Sequence, residues 1–235
     1  MGICKSRDYT YENKDYYKGQ MKNHLPNGKG KRFNPSDDLI YEGDFIDGKK
    51  SGYGKFIYTN GIYYLGHWKN DNREGKGIIY YNNGQILCEG EFVNDNLHGN
   101  GKMIWPDGVY YIGEWMNGQR NGKGQLFYKS GNTKYDGDFV NDKYEGNGRY
   151  FWENGVHYIG EWSNGNMDGH GAMYDSNGYL KYKGKFKNNK YIGEGSINKP
   201  INKEEKDKEE KTLIKDNSYY ISGPYVICNI NKQSK

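Results

Sequence analysis

Residues 111–134 read YIGEWMNGQRNGKGQLFYKSGNTK, and the same phrase recurs along most of the chain. Its opening, Tyr111-Ile112-Gly113-Glu114-Trp115, is an aromatic-x-Gly-x-aromatic pattern. It returns as YKGQM from Tyr17, YEGDF from Tyr41, YLGHW from Tyr64, CEGEF from Cys88, YDGDF from Tyr135, YIGEW from Tyr158 and YKGKF from Tyr182. Successive starts lie 24, 23, 24, 23, 24, 23 and 24 residues apart. A polar turn and a Gly-x-Gly follow each start, as in NGKG, SGYG and EGKG. Self-similarity at such a period marks a repeat architecture, in which each unit completes its core only against its neighbours.

The alternation makes the true period a pair of 47 residues. Units starting at Tyr64, Tyr111 and Tyr158 carry Trp in the fifth position, whereas those from Tyr41, Cys88, Tyr135 and Tyr182 carry Phe. Comparison of YNNGQILC with YTNGIYY places the extra residue in the second turn, between repeats. Within a unit, alternation puts Tyr41, Gly43 and Phe45 on one face and Glu42 and Asp44 on the other, which is the period of a strand. Asn60-Gly61, Asn83-Gly84, Asp107-Gly108, Asn154-Gly155 and Asn177-Gly178 are turn signals, because these pairs tolerate positive φ. A mid-strand glycine weakens a strand unless it makes room for a ring from a neighbour.

These motifs resemble the MORN repeat family, whose unit reads roughly YEGEWKNGKRHGKGVYTYADG. The resemblance covers residues 17–199 in about eight units. It departs at Met21, where a second aromatic belongs, at Cys88, which replaces a Tyr, and after Gly195, where the last unit fades. It implies an all-β fold, an elongated twisted antiparallel sheet with one hairpin per repeat. At two strands per repeat and about 4.8 Å per strand, eight units reach roughly 75 Å. The resemblance also implies three classes of function. One is a scaffold connecting a membrane with the cytoskeleton or another protein partner. The second is a phospholipid head-group binding module. The third is a regulatory partner of a lipid kinase, since similar repeats are attached to phosphatidylinositol phosphate kinases and to a lysine methyltransferase.

Composition narrows the field. Gly is 35 of 235 residues and Tyr 25, with mean hydropathy −1.13. No apolar run reaches the roughly 18 residues of a membrane-spanning helix, and no secretory leader pattern is present. Cys4, Cys88 and Cys228 are odd in number and far apart, which argues against a disulfide framework or zinc site and for a reducing setting. Residues 1–87 hold 14 Lys and Arg against 10 acids, residues 88–181 hold 8 against 13, and residues 182–235 hold 12 against 7. No concentrated basic face stands out, so no nucleic-acid partner is expected.

Four segments are expected: an acylated arm over 1–16, the repeat array over 17–199, a charged stretch over 200–217 and a capping segment over 218–235. Met1-Gly2-Ile3-Cys4-Lys5-Ser6 fits the N-myristoylation pattern, with Gly2 as acceptor and Cys4 placed for palmitate. One myristoyl chain binds only marginally, and the second signal is not a basic cluster. Lys5, Arg7 and Lys14 are cancelled by Asp8, Glu12 and Asp15, so the thiol supplies it. The expected location is the cytoplasmic face of the plasma membrane or of a submembrane pellicle or inner membrane system, with the acyl chains holding the membrane. Residues 200–217 read as a short helix with Glu204–Lys208 and Asp207–Lys211 partners, or as a solvated linker. SYYISGPYVICNI, from Ser218, reads as a small β-hairpin folding back over an exposed edge or end of the sheet, or as a docking segment.

No catalytic residue, metal site or cofactor is expected. GDFIDGK from Gly43 has P-loop spacing, but Lys50 stands where Ser or Thr would bind Mg²⁺. Recurrence of Glu42, Asp44, Glu89, Glu91, Glu114, Asp136, Asp138 and Glu161 reads as a solvated face rather than acid–base machinery. His98 and His170 read as equivalent turn residues without ligand spacing. Cys88, in a repeat Tyr slot, reads as an inert buried thiol. Residues 200–235 are too short for a catalytic domain. Lys29, Lys31, Arg32, Lys49 and Lys50 are candidate contacts for anionic lipid head groups. The leading expectation is a non-enzymatic membrane scaffold whose sheet ends could pair as a homodimer.

Overall fold

A computed structural model describes residues 8–193. The first strands are β1 (Tyr9–Thr10), β2 (Tyr16–Lys22), β3 (Leu25–Phe33), β4 (Leu39–Ile46), β5 (Lys49–Ile57) and β6 (Tyr63–Lys69). The middle of the chain forms β7 (Asn72–Tyr80), β8 (Ile86–Val93), β9 (Asn96–Ile104), β10 (Tyr110–Met116), β11 (Gln119–Phe127) and β12 (Thr133–Val140). The series ends with β13 (Lys143–Phe151), β14 (His157–Ser163), β15 (Asn166–Tyr174), β16 (Leu180–Lys187) and β17 (Lys190–Tyr191). Each strand pairs antiparallel with the next in sequence, giving one long open sheet. Tyr9 and Thr10, expected in the arm, already pair with Tyr17 and Tyr16. The expected C-terminal helix and hairpin lie outside the described residues.

Two kinds of turn alternate. Inside each unit the tight turn has two residues of positive φ, as at Asn70 (50°) and Asp71 (72°) or Asn141 (47°) and Asp142 (68°). This is the I′ geometry that suits the twist of a hairpin. The Asn-Gly pairs singled out in the sequence make the other turn, between units. There Tyr58 N–H donates to Ile62 C=O, Gly61 N–H donates to Tyr58 C=O, and the Asn60 side chain accepts from Ile62 N–H. In that pair only Gly61 has positive φ, at 81°.

The extra residue of the long spacing does not sit in this turn. Tyr81–Gln85 closes with the same bonds as Tyr58–Ile62. The surplus is a β-bulge just beyond it: Ile79 faces Cys88 and Tyr80 faces Ile86, skipping Leu87. Before a Trp unit there is no such skip, since Phe56 faces Tyr64 and Ile57 faces Tyr63. A bulge is needed because Ile86 and Cys88, two residues apart, must point to opposite faces.

The core lies on one face. Tyr17, Tyr41, Tyr64, Tyr111, Tyr135 and Tyr158 are fully buried, alternating with Phe45, Trp68, Phe92, Trp115, Phe139 and Trp162. Each such Tyr lies over the paired glycines of its own hairpin rather than those of a neighbour. A methyl at Gly54 would overlap the Tyr41 ring, and one at Gly124 the Tyr111 ring. The hydroxyl then donates to the carbonyl three residues on, as in Tyr41 to Asp44 (3.1 Å) and Tyr64 to His67 (3.0 Å). Rings join units edge to face: Tyr41–Trp68 at 5.5 Å, Tyr64–Phe92 at 5.2 Å and Tyr111–Phe139 at 5.0 Å. Every Trp unit adds a bond to the unit before it, Trp68, Trp115 and Trp162 Nε1 donating to Gly54, Gly101 and Gly148 carbonyls at 3.2 Å.

Candidate interaction faces

Opposite the fifth-position residue, each unit places one residue on the core face: Pro26 and Tyr191 in the first and last, and Lys50, Arg73, Leu97, Arg120, Tyr144 and Met167 in the six between. Where it is a cation it lies along rings rather than in solvent. Lys50 Nζ sits 4.5 Å from the Phe56 ring centre and 4.1 Å from that of Trp68, and burial pulls its pKa down to about 8. Arg73 and Arg120 approach Phe92 and Phe139 while pairing with Asp95 and Asp142. Further along this face runs a row of half-buried rings, Tyr58, Tyr81, Trp105, Tyr128 and Trp152, at five successive between-unit turns; Asn34 and Asp175 take the place at the first and last. Tyr81 and Tyr128 donate across to Ile104 and Phe151 carbonyls.

The second face carries the acids, and they are more than a solvated coat. Asp44, Glu114 and Glu161 accept main-chain N–H groups of Tyr53, Lys123 and His170, satisfying donors where the ladder is interrupted. His67 takes the same place in its unit, its Nδ1 lying 3.0 Å from Lys76 O. Ion pairs cross the strands, among them Lys29–Asp44 (2.8 Å), Lys31–Glu42 (3.0 Å) and Arg149–Asp136 (2.9 Å). A shallow groove between turns is lined by Gln125, Thr133, Asp136, Arg149 and Phe151.

The five candidate head-group cations do not converge. Lys29 and Lys31 stand on the second face in ion pairs. Arg32 lies on the core face, 2.8 Å from the buried Asp15 carboxylate and 3.9 Å over the Tyr11 ring. Lys50 is stacked as described, and Lys49 is exposed beside the tight turn. Gly2 and Cys4 lie outside the described residues. Asp47-Gly48, in the P-loop-like string, is simply a tight turn with φ of 47° and 82°. His98 and His170 are strand residues at different places in their units, His98 aligning with Asp168. Cys88 is buried and desolvation raises its thiol to about 12. Among the described residues, no three His, Cys, Asp or Glu side chains are grouped to hold a metal, and no helix is long and apolar enough to cross a membrane.

A family model for the MORN repeat matches residues 17–38, 41–63, 64–86, 88–110, 111–133, 135–157 and 158–178. The chain therefore belongs to the MORN repeat family, with seven detected repeats and an eighth hairpin, β16–β17, closing the described sheet. The MORN repeat is a non-catalytic module often associated with membrane or protein binding. No curated protein matches the chain. Among solved structures it is similar to the computationally designed Ika8 protein at 12% identity, over 74% of this chain and 59% of that one, with a TM-score of 0.20. A likeness that faint carries no argument, and the chain spans under two thirds of that protein.

Proposed function

We propose that this protein is a non-enzymatic scaffold, held to a membrane by acyl chains on Gly2 and Cys4, that presents its sheet to protein partners such as cytoskeletal elements. The row Tyr58, Tyr81, Trp105, Tyr128 and Trp152 carries the reading. Half-buried rings recur over five successive between-unit turns, roughly every 9–10 Å, along one side of the core face. That is a surface for an extended partner, since aromatic side chains supply large contact area at small entropic cost. The N-terminal sequence supplies the two-signal logic of stable anchoring. The scattered placement of Lys29, Lys31, Arg32, Lys49 and Lys50 gives a head-group pocket no comparable support.

The test is the location in cells of a C-terminally tagged chain against its Gly2→Ala and Cys4→Ala variants. The unaltered chain is expected at a membrane and both variants in the soluble fraction. Identical distribution of all three would sink the anchoring half of the proposal. The scaffold half is tested by Trp105→Ala with Trp152→Ala in a proximity-labelling comparison. An unchanged set of labelled proteins would overturn it.

A further inference from the structure

At one end of the sheet the second face is covered. Ile159, Ala172, Tyr174 and Leu180 form a buried cluster of their own, at 3%, 0%, 0% and 4% exposure. The same positions one pair earlier are Ile112, Gln125, Phe127 and Thr133, and two pairs earlier Leu65, Ile78, Tyr80 and Ile86. All eight are only half-buried, although their backbone pairing is the same. His157 repeats the difference: it is 6% exposed, stacked between Phe151 and Tyr174, whereas Tyr63 and Tyr110 in its position are half-buried. A single-layer sheet cannot bury both faces, and no strand among the described residues crosses this one. A second layer from outside residues 8–193 is required.

Reach and composition choose its source. Residues 1–7 precede β1, twelve or more strands from β14. Seven residues span about 25 Å at most, against the roughly 58 Å from β2 to β14. Residues 194–235 instead follow directly on β17, three strands from Ile159. Residues 200–217 offer only Ile201, Leu213 and Ile214 as large apolar side chains. Residues 218–235 hold Tyr219, Ile221, Tyr225, Val226 and Ile227 in two short apolar runs around Gly223-Pro224. Between the array and that tail, Glu204–Glu210 carries five acids against two lysines, and the last full strand exposes Lys181 and Lys185 beside the cluster.

We propose that residues 218–235 seat on the second face over Ile159, Ala172, Tyr174 and Leu180, forming a local second layer at the C-terminal end of the array. The acidic stretch crosses the lysines of β16 on the way. The occupant is thus this chain's own apolar tail, on a face distinct from the aromatic row.

Hydroxyl-radical footprinting of the full chain, read by mass spectrometry, tests this with internal standards. Tyr174 is compared with Tyr80, and Leu180 with Ile86, in the unaltered chain and in an Ile221→Asp, Val226→Asp variant. The expected result is several-fold slower oxidation of Tyr174 and Leu180 than of their counterparts. In the variant the two should oxidise as fast as Tyr80 and Ile86, with those standards unmoved. Equal rates in the unaltered chain would show that nothing covers the cluster. Protection that survives the variant would assign the cover to another segment, and protection that grows with protein concentration to a second copy; either overturns the proposal.

Discussion

Two alanine substitutions at equivalent glycines separate room from conformation. A methyl at Gly54 would enter the Tyr41 ring, whereas at Gly101 the nearest atoms, Glu89 O, Leu97 Cδ2 and Trp115 Cδ1, stand at 3.1, 3.1 and 3.2 Å. Gly54→Ala is therefore expected to cost about 3 kcal/mol and Gly101→Ala about 1 kcal/mol, measured by urea denaturation. Lys50 offers a change of the opposite sign. Its equivalents Leu97 and Met167 are apolar, and Lys50 is half-buried with its ammonium against the Phe56 and Trp68 rings. Lys50→Met is expected to stabilise by about 1 kcal/mol near neutral pH, the lost ring contacts being smaller than the relieved desolvation. The ordinary lysine pKa of 10.5 falls to about 8 here, so the unfolded chain binds the extra proton between those values. Stability should climb from about pH 8 to 10.5 in the unaltered chain, and this rise should vanish in Lys50→Met.

The hairpin is the element, and its irregularities carry the interest. In the Cys88 unit no tyrosine covers the paired glycines; Leu97 closes the gap, its Cδ1 lying 2.8 Å from where a Gly90 methyl would stand. Cys88→Tyr alone should destabilise, because ring and Leu97 compete for one space. Cys88→Tyr with Leu97→Tyr, which copies the unit at Tyr135, where Tyr144 stacks on the ring at 3.9 Å and the following turn is likewise Asn-Gly, should recover most of the loss in a thermal melt. Much of this element was legible beforehand. Tyr41, Gly43 and Phe45 do share a face, because alternation alone decides that. The bulge at Leu87 was not legible. One surplus residue is equally compatible with a turn or a strand until the inter-unit hydrogen bonds show that the turns are alike. The place of the tight turn was legible from the polar stretch before each Gly-x-Gly, and Asn117-Gly118 and Asn164-Gly165 carry the usual signal; that Asn70-Asp71 and Asn94-Asp95 take the same two positive φ values without a glycine was not. The carboxylates read as solvated in the sequence, which shows charge but not the main-chain donor that Asp44 accepts from.

At the scale of the molecule, the buried tyrosines act together. Burial raises the hydroxyl pKa of Tyr41, Tyr64, Tyr135 and Tyr158 above the ordinary 10.0. Their contribution is complete below the unfolded value and is lost as pH rises beyond it. Denaturation followed by tyrosinate absorbance should be steep and cooperative above about pH 10, overtaking the gain from Lys50. The dispersal of the candidate cations follows from the same alternation, which sets Lys31 and Arg32, neighbours in the chain, on opposite faces of β3; closeness in sequence is not closeness on a strand's surface.

The tight turns also tie each unit backwards. Asp71 N–H donates to Lys50 C=O while Lys50 N–H donates to the Asp71 carboxylate, and Asp95 and Asp142 repeat this with Arg73 and Arg120. These links span only 21 or 22 residues. An all-β chain usually folds slowly because strands distant in sequence must find one another. Here no strand among the described residues waits for a remote partner. A nascent chain leaving the ribosome can lay each hairpin onto the one before it, so the aggregation-prone interval lasts only as long as one repeat takes to emerge.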